Sequence, residues 1–312
     1  MKNFFKAALF ICLLLFVMSI VGIFFIPNNT SIKFRFLTIE SNGILGEKEN
    51  SIDVLFIGDS LVYSAVAPME IWKNSGITSY DLSTSAQSVY KSYEMLNTSL
   101  KTQKPKIVFL EGNCFFKEYD IKKKMEDTFQ KIFPLLEYHN RWKKLSISDL
   151  KLSRTDYNKG YRFTTKQLSA SNPSKNYMKI SNNKREIPDI NIKYIDKIIE
   201  KCKEENIELV LLSTPSMKYY NYSKYLAVKD IAQKNNIEYI DLNIENKIDI
   251  DWSKNTQDEG NHLNYFGAKK VTSFITDYLK TKNLENHSND EYYSSWNDEL
   301  VKYEEDVKKN TQ

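Results

Sequence analysis

The sequence predicts an α/β fold: a parallel β-sheet with helices on both faces, preceded by one transmembrane helix. Three observations predict it. Short apolar runs such as Ile52–Ile57, Lys106–Leu110 and Ile207–Leu212 each stop at polar turn residues, the pattern of buried parallel strands. Segments of helical periodicity separate these runs, and such alternation argues for right-handed crossovers. Ahead of them, Ala7 to Ile26 is free of charge and almost wholly apolar.

That first stretch matches the roughly 20 residues that cross a bilayer. A cleaved signal peptide has an apolar region of only about 7–15 residues and a small-x-small cleavage site. Gly22 to Ile26 is bulky where that site would fall, which favours an uncleaved anchor over 7–26 behind a cytoplasmic tail, 1–6. Lys2 and Lys6 place the N-terminus inside, against the opposing vote of Lys33 and Arg35, so the folded part is expected outside the cell, single-pass on the plasma membrane. Cys12 lacks the small residue expected before a lipidated cysteine.

Composition is that of a folded protein: 312 residues, 27% charged and 41% hydrophobic, with material for a sizeable core. A net charge of +4, from 44 basic and 40 acidic residues, is too balanced to argue for nucleic acid. Cys114 and Cys202 have no zinc-ligand spacing; they could form one disulfide, and read more simply as small buried hydrophobes. No metal site is expected.

A polar linker, 27–50, carries a short strand expected around Ile32–Ile39. The globular pattern runs over 51–282. After the first strand, Pro68 starts a helix that Gly76 ends. Ile77–Leu82 is a second strand, Val89–Leu100 a helix, and Lys106–Leu110 a third strand closed by Glu111-Gly112-Asn113. Residues 116–188 break the rhythm and read as an insertion over one edge of the sheet, with an amphipathic helix over Lys122–Glu137. His139 and Arg141 are candidate substrate contacts there, or equally caps of a helix end. Alternation resumes with a helix over Asp189–Lys203, whose Ile192, Ile195, Ile198, Ile199 and Cys202 share one face. The strand Ile207–Leu212, a helix over Tyr222–Gln233, the strand Ile237–Leu242 and a last core helix over Tyr265–Leu279 follow. The polar tail, 283–312, is expected to hold a short strapped-on helix, with His287 solvated.

The chemistry gathers at strand ends, where open α/β sheets place their sites. Gly58-Asp59-Ser60 follows the first strand and sets the Ser60 hydroxyl at the rim. A serine hydroxyl needs a base, and an imidazole needs a carboxylate to fix its tautomer. The loop Gln257-Asp258-Glu259-Gly260-Asn261-His262 offers His262 as base and Asp258 as acid, with Glu259 as the alternative acid. Donors for an oxyanion are expected from the backbone at Ser60 and Ala86 and from the side-chain amide of Asn113.

These residues resemble the hallmark set of the SGNH/GDSL hydrolase superfamily. Ser60 in Gly58-Asp59-Ser60-Leu61 matches its nucleophile block, Asn113 in Gly112-Asn113 its asparagine block, and His262 its histidine block. Ala86 stands where the family has glycine, and Asp258 lies four residues before His262 rather than the usual three. The resemblance covers Ser51 to Lys282 without the insertion. It implies a three-layer, flavodoxin-like sheet and a cofactor-free serine mechanism. The anchor, the Tyr138–Trp142 segment and the run His262–Ala268 further resemble membrane-anchored bacterial surface members, similar to alginate O-acetylation proteins and the teichoic-acid D-alanyl transfer protein. That likeness implies an acyl-Ser60, with acetyl as the expected acyl group. The acyl group would pass to a cell-surface or exported polysaccharide or to water, beside a polytopic membrane O-acyltransferase. The rival expectation is a catalytically idle glycan-binding or scaffold protein.

Overall fold

The computed structural model describes residues 2–25, 42–118, 122, 125 and 156–311. Five parallel strands form one sheet: β1 (Val54–Gly58), β2 (Ser79–Ser83), β3 (Ile107–Glu111), β4 (Glu208–Ser213) and β5 (Glu238–Asp241), in the order β2-β1-β3-β4-β5. This is the flavodoxin-like order, whose switch point lies between β1 and β3. Open α/β sheets place their sites at such a point, and Ser60 stands two residues beyond the carboxyl end of β1.

Each central strand is apolar on both faces because both are covered. Leu55, Ile57, Val108, Leu110 and Leu211 point into one layer with the helices Val89–Ser99, Asp189–Glu204 and Tyr222–Asn235. Val54, Phe56, Ile107, Phe109, Val210 and Leu212 alternate into the other, against Val271, Ile275 and Leu279 of the helix Tyr265–Lys280. Phe56 and Phe109 stack there with centroids 4.8 Å apart. The helix Pro68–Ser75 closes the β2 edge and ends at Gly76, whose φ of 67° is the left-handed cap that glycine tolerates best.

The tail differs from its expectation. Ser294–Thr311 is an 18-residue helix, with Trp296 and Tyr303 each 1% exposed. Trp296, Leu300, Tyr303 and Val307 are spaced to meet on one face, with Val301 left exposed, a pattern that a mostly polar composition conceals. His287 is not solvated either. It is buried, its Nε2 lies 2.9 Å from Asp53 Oδ2, its ring stacks on Tyr293 at 4.1 Å, and its N–H donates to the carbonyl of Gly76. Burial of Asp53 beside β1 supplies the partner that draws the imidazole in.

The described part of the expected insertion is irregular but packed. Lys159 is fully buried, with Nζ 2.5 Å from both Glu47 Oε1 and Glu299 Oε2 and 4.3 Å from the centroid of the Trp296 ring. That cluster ties the segment before β1, the insertion and the last helix together. Gly160, at φ +89°, passes so close to the Asp81 backbone that a Cβ would lie 2.2 Å from its carbonyl oxygen. The strand expected at Ile32–Ile39, His139 and Arg141 lie outside the described residues, as does the helix over Lys122–Glu137 apart from Lys122 and Met125.

The N-terminal helix Lys2–Phe25 contains one span, Lys2–Gly22, long and apolar enough to cross a membrane, with a mean hydropathy of 2.6. No residue of its apolar 18-residue window is buried against the rest of the chain. Its length and apolarity suit an anchor or a signal sequence alike. Cys12 is exposed on this helix, while Cys114 and Cys202 are buried free thiols.

Candidate active site

β1 leads straight into the site. Gly58 is required by close approach: a Cβ there would lie 2.4 Å from Glu111 Cβ and 2.7 Å from Val62 Cγ2. Asp59 is extended and buried, and its Oδ1 accepts the Leu61 N–H at 3.0 Å, capping the single helical turn Ser60–Tyr63. Ser60 thus opens that turn, partly exposed, with neighbours buried on both sides.

His262 lies in a loop held by its own bonds. Thr256 and Leu263 form an antiparallel bridge, and Gln257 N–H donates to the carbonyl of His262. Between them Glu259 (φ 62°) and Gly260 (φ 93°) turn the chain through two left-handed residues. Thr256 Oγ1 accepts from Gly260 N–H at 2.7 Å, and Asn264 caps the helix that follows.

His262 and Asp258 are thereby fixed opposite Ser60. Nε2 of His262 lies 2.8 Å from Ser60 Oγ, across 202 residues of chain. Its Nδ1 lies 2.6 Å from Asp258 Oδ2, and its backbone N–H donates to Asp258 Oδ1 at 2.7 Å. Burial alone would raise the Asp258 carboxyl, but the two bonds from His262 hold it below the ordinary carboxylate range. With Nδ1–H given to the carboxylate, Nε2 is left as an acceptor for the serine proton. The Tyr219 ring stands edge-on to the imidazole at 5.6 Å.

Glu259 is placed elsewhere: its carboxylate pairs with Lys218 Nζ at 2.9 Å on the surface, and of the two acids it is Asp258 that reaches the imidazole.

Asn113 follows β3 in a short 3-10 turn. Its Nδ2 donates to Asp59 Oδ2 at 2.7 Å, and its Oδ1 accepts from Lys224 Nζ at 2.9 Å. Lys117 Nζ approaches the same Asp59 oxygen at 3.1 Å. Beneath them Glu111 is fully buried. It accepts from Thr214 N–H, Thr214 Oγ1 and Asn113 N–H, and burial pushes its carboxyl up to about 8. The neighbouring Asp59 charge adds to that rise. Asn113 is thus attached to the strand end from below and to the Ser60 turn from the side.

Ala86 lies in an exposed turn after β2, at φ 52°. The preceding Ser85 Oγ is 3.0 Å from Tyr63 Oη, which also accepts from Arg162 at 3.3 Å. Those bonds tether the Ala86 turn to the helical turn that carries Ser60. Among the described residues, no group of three or more His, Cys, Asp or Glu side chains is arranged to hold a metal ion.

Lys117, Lys224 and Tyr219 had no signal in the sequence. Lysines and tyrosines are abundant, and only the third dimension brings the start of the helix Tyr222–Asn235 beside Asn113.

The arrangement can do a definite piece of chemistry. A hydroxyl in hydrogen-bond reach of a carboxylate-braced imidazole is the geometry for nucleophilic attack with general-base assistance.

No protein-family profile and no curated protein matches the chain. Solved structures do. A lipase/acylhydrolase from Enterococcus faecalis is 12% identical, with a TM-score of 0.43, over 75% of this chain and 98% of that one. A GDSL-like lipase from Bacteroides thetaiotaomicron is 12% identical, with a TM-score of 0.39, over 74% and 89%. The acetyl xylan esterase AlAXEase is 18% identical, with a TM-score of 0.37, over 74% and 98%.

Proposed function

We propose that this chain is an extracytoplasmic serine esterase or O-acyltransferase that acts on a cell-surface or exported polysaccharide through an acyl-Ser60 intermediate. The observation that carries the reading is the continuous chain from Ser60 Oγ to His262 at 2.8 Å and from His262 to Asp258 at 2.6 Å.

The steps follow from that chain. Ser60 Oγ attacks the ester carbonyl while His262 Nε2 takes its proton, and Asp258 stabilises the imidazolium. The oxyanion is offered the Ser60 and Ala86 N–H groups and an N–H of Asn113. Collapse breaks the bond to the alcohol, which leaves with the proton from His262, and the acyl group stays on Ser60. A second hydroxyl, from water or a glycan, then gives its proton to His262 and takes the acyl group, restoring Ser60. Water as acceptor makes an esterase and a sugar hydroxyl a transferase. The apolar N-terminal helix supports a role at a membrane, where a polytopic acyltransferase is a fitting donor or partner.

A serine-reactive fluorophosphonate tests the reading on the full-length chain in detergent. Wild type should be labelled at Ser60, and Ser60→Ala and His262→Ala should not. Folded wild type that takes no label would leave the idle scaffold reading standing instead. Incubation with an acyl donor and a glycan separates the branches: acylated sugar supports transfer, and free acid alone supports the esterase.

A further inference from the structure

Asn113 is the one side chain among the proposed oxyanion donors, so its amide must face the correct way. An asparagine amide offers one carbonyl acceptor and two N–H donors. The carbonyl is occupied by Lys224 Nζ at 2.9 Å, and one N–H by Asp59 Oδ2 at 2.7 Å. One N–H is left, on a group joined directly to the residue that precedes Ser60. Turning the amide over would set its NH2 against the ammonium and its carbonyl against the Asp59 carboxylate. Two charge-assisted bonds would become two repulsions.

Lys224 is itself held in place. Its Nζ also donates to the Tyr219 carbonyl at 2.7 Å and lies 5.1 Å from the centroid of the Phe116 ring. Both of its hydrogen-bond acceptors are neutral, so the ammonium is directed at the amide rather than spent on a carboxylate.

We propose that Lys224 is a positioning residue whose ammonium fixes and polarises the Asn113 amide, leaving the second Nδ2–H for the oxyanion formed at Ser60. This rests on the acyl-Ser60 reading. A donor bonded through its carbonyl to a cation is a stronger donor, because hydrogen bonds in a chain polarise one another.

The clamp carries a pH dependence. Burial, and then the Lys117 charge, push Lys224 down to about 8, with Arg185 adding to the fall and Asp59 and Glu111 opposing it. These groups come from every side: Asp59 after β1, Glu111 and Lys117 at and beyond the end of β3, and Arg185 from the segment before the helix Asp189–Glu204. The ammonium is present below that value and is lost as pH rises through it. The neutral amine still reaches Asn113, but a charge-assisted bond is about twice as strong, so turnover weakens rather than stops.

The test is kcat and KM for 4-nitrophenyl acetate across the neutral-to-alkaline range, on full-length wild type, Lys224→Met and Lys224→Arg, with fluorophosphonate labelling of wild type alongside. Wild-type kcat should fall as pH passes about 8. Lys224→Met should lower kcat by about 10- to 100-fold with little change in KM, short of the roughly 10²–10³-fold cost of deleting an oxyanion donor. Lys224→Arg should recover most of that loss and abolish the alkaline fall, since guanidinium stays charged throughout. Should Lys224→Met fail to fold, the Lys224→Arg profile decides. A folded Lys224→Met with wild-type kcat overturns the proposal, as does a Lys224→Arg that keeps the fall near 8, which would assign it to Glu111. Wild type that neither takes label nor turns over ester removes the acyl-Ser60 reading and this proposal with it. Active wild type with indifferent Lys224 variants removes this proposal alone.

Discussion

Asp258 grips His262 twice, through the backbone N–H at 2.7 Å and the ring Nδ1 at 2.6 Å. His262 comes four positions after Asp258, and the left-handed pair Glu259 and Gly260 closes that distance. Asp258→Asn removes the carboxylate and permits the wrong tautomer, so ester turnover should drop on the order of 10³–10⁴-fold. Glu259→Gln breaks only a surface pair with Lys218, which is worth little, and should leave turnover nearly unchanged. Steady-state kinetics on the two variants check both expectations.

Ala86 occupies a left-handed backbone position, φ 52°. An L-residue pays roughly 1–2 kcal/mol there, and glycine's looser unfolded chain gives back roughly 0.5–1 kcal/mol of that. Ala86→Gly should therefore stabilise the protein by about 0.5–1 kcal/mol while keeping activity, because the backbone N–H is unchanged. Denaturant unfolding reads the first part and turnover the second.

The cluster around Lys159 makes stability depend on pH. One ammonium can neutralise only one of its two carboxylates, and burial, with the Glu299 charge adding, pushes Glu47 up to about 7 from an ordinary 4.5. The folded chain therefore holds a proton that the unfolded chain releases between those values. The stabilisation is full below about 4.5 and lost as pH rises through about 7. Melting temperatures of wild type and Glu47→Gln should differ in slope over that window, with the variant flatter and relatively more stable at alkaline pH. Parallel slopes would remove Glu47 from the account.

The last helix is a structural part of the domain. Trp296 lies against Trp72 at 5.3 Å and beneath Lys159. Trp296→Ala should cost about 3–5 kcal/mol, as for other large buried aromatics, measured by chemical unfolding.

What the sequence discloses here has a physical pattern. Val54–Ile57 and Ile107–Leu110 are buried on both faces, so their apolar runs are continuous and stand out from the surrounding chain. Ser60, Asp258 and His262 sit at abrupt turns where a glycine and a polar cluster interrupt those signals. Lys159, His287 and Lys224 are the opposite case. Each is a polar residue buried or half-buried because a partner waits far away in the chain: Glu299 140 residues on, Asp53 234 back and Asn113 111 back. Composition and periodicity report local preference and carry no record of such pairs. The tail helix was half-concealed for the same reason, since Trp296 and Tyr303 bury against elements formed early in the chain.

The most direct test of the central claim is to catch the acyl group on Ser60. Full-length protein is mixed with an activated acetyl ester, quenched in acid within the first turnovers, digested, and its peptides weighed. An acetyl group is expected on the peptide containing Ser60 in wild type, and none there in His262→Ala. Wild type that consumes the ester while Ser60 stays unmodified, even with deacylation slowed, would contradict it.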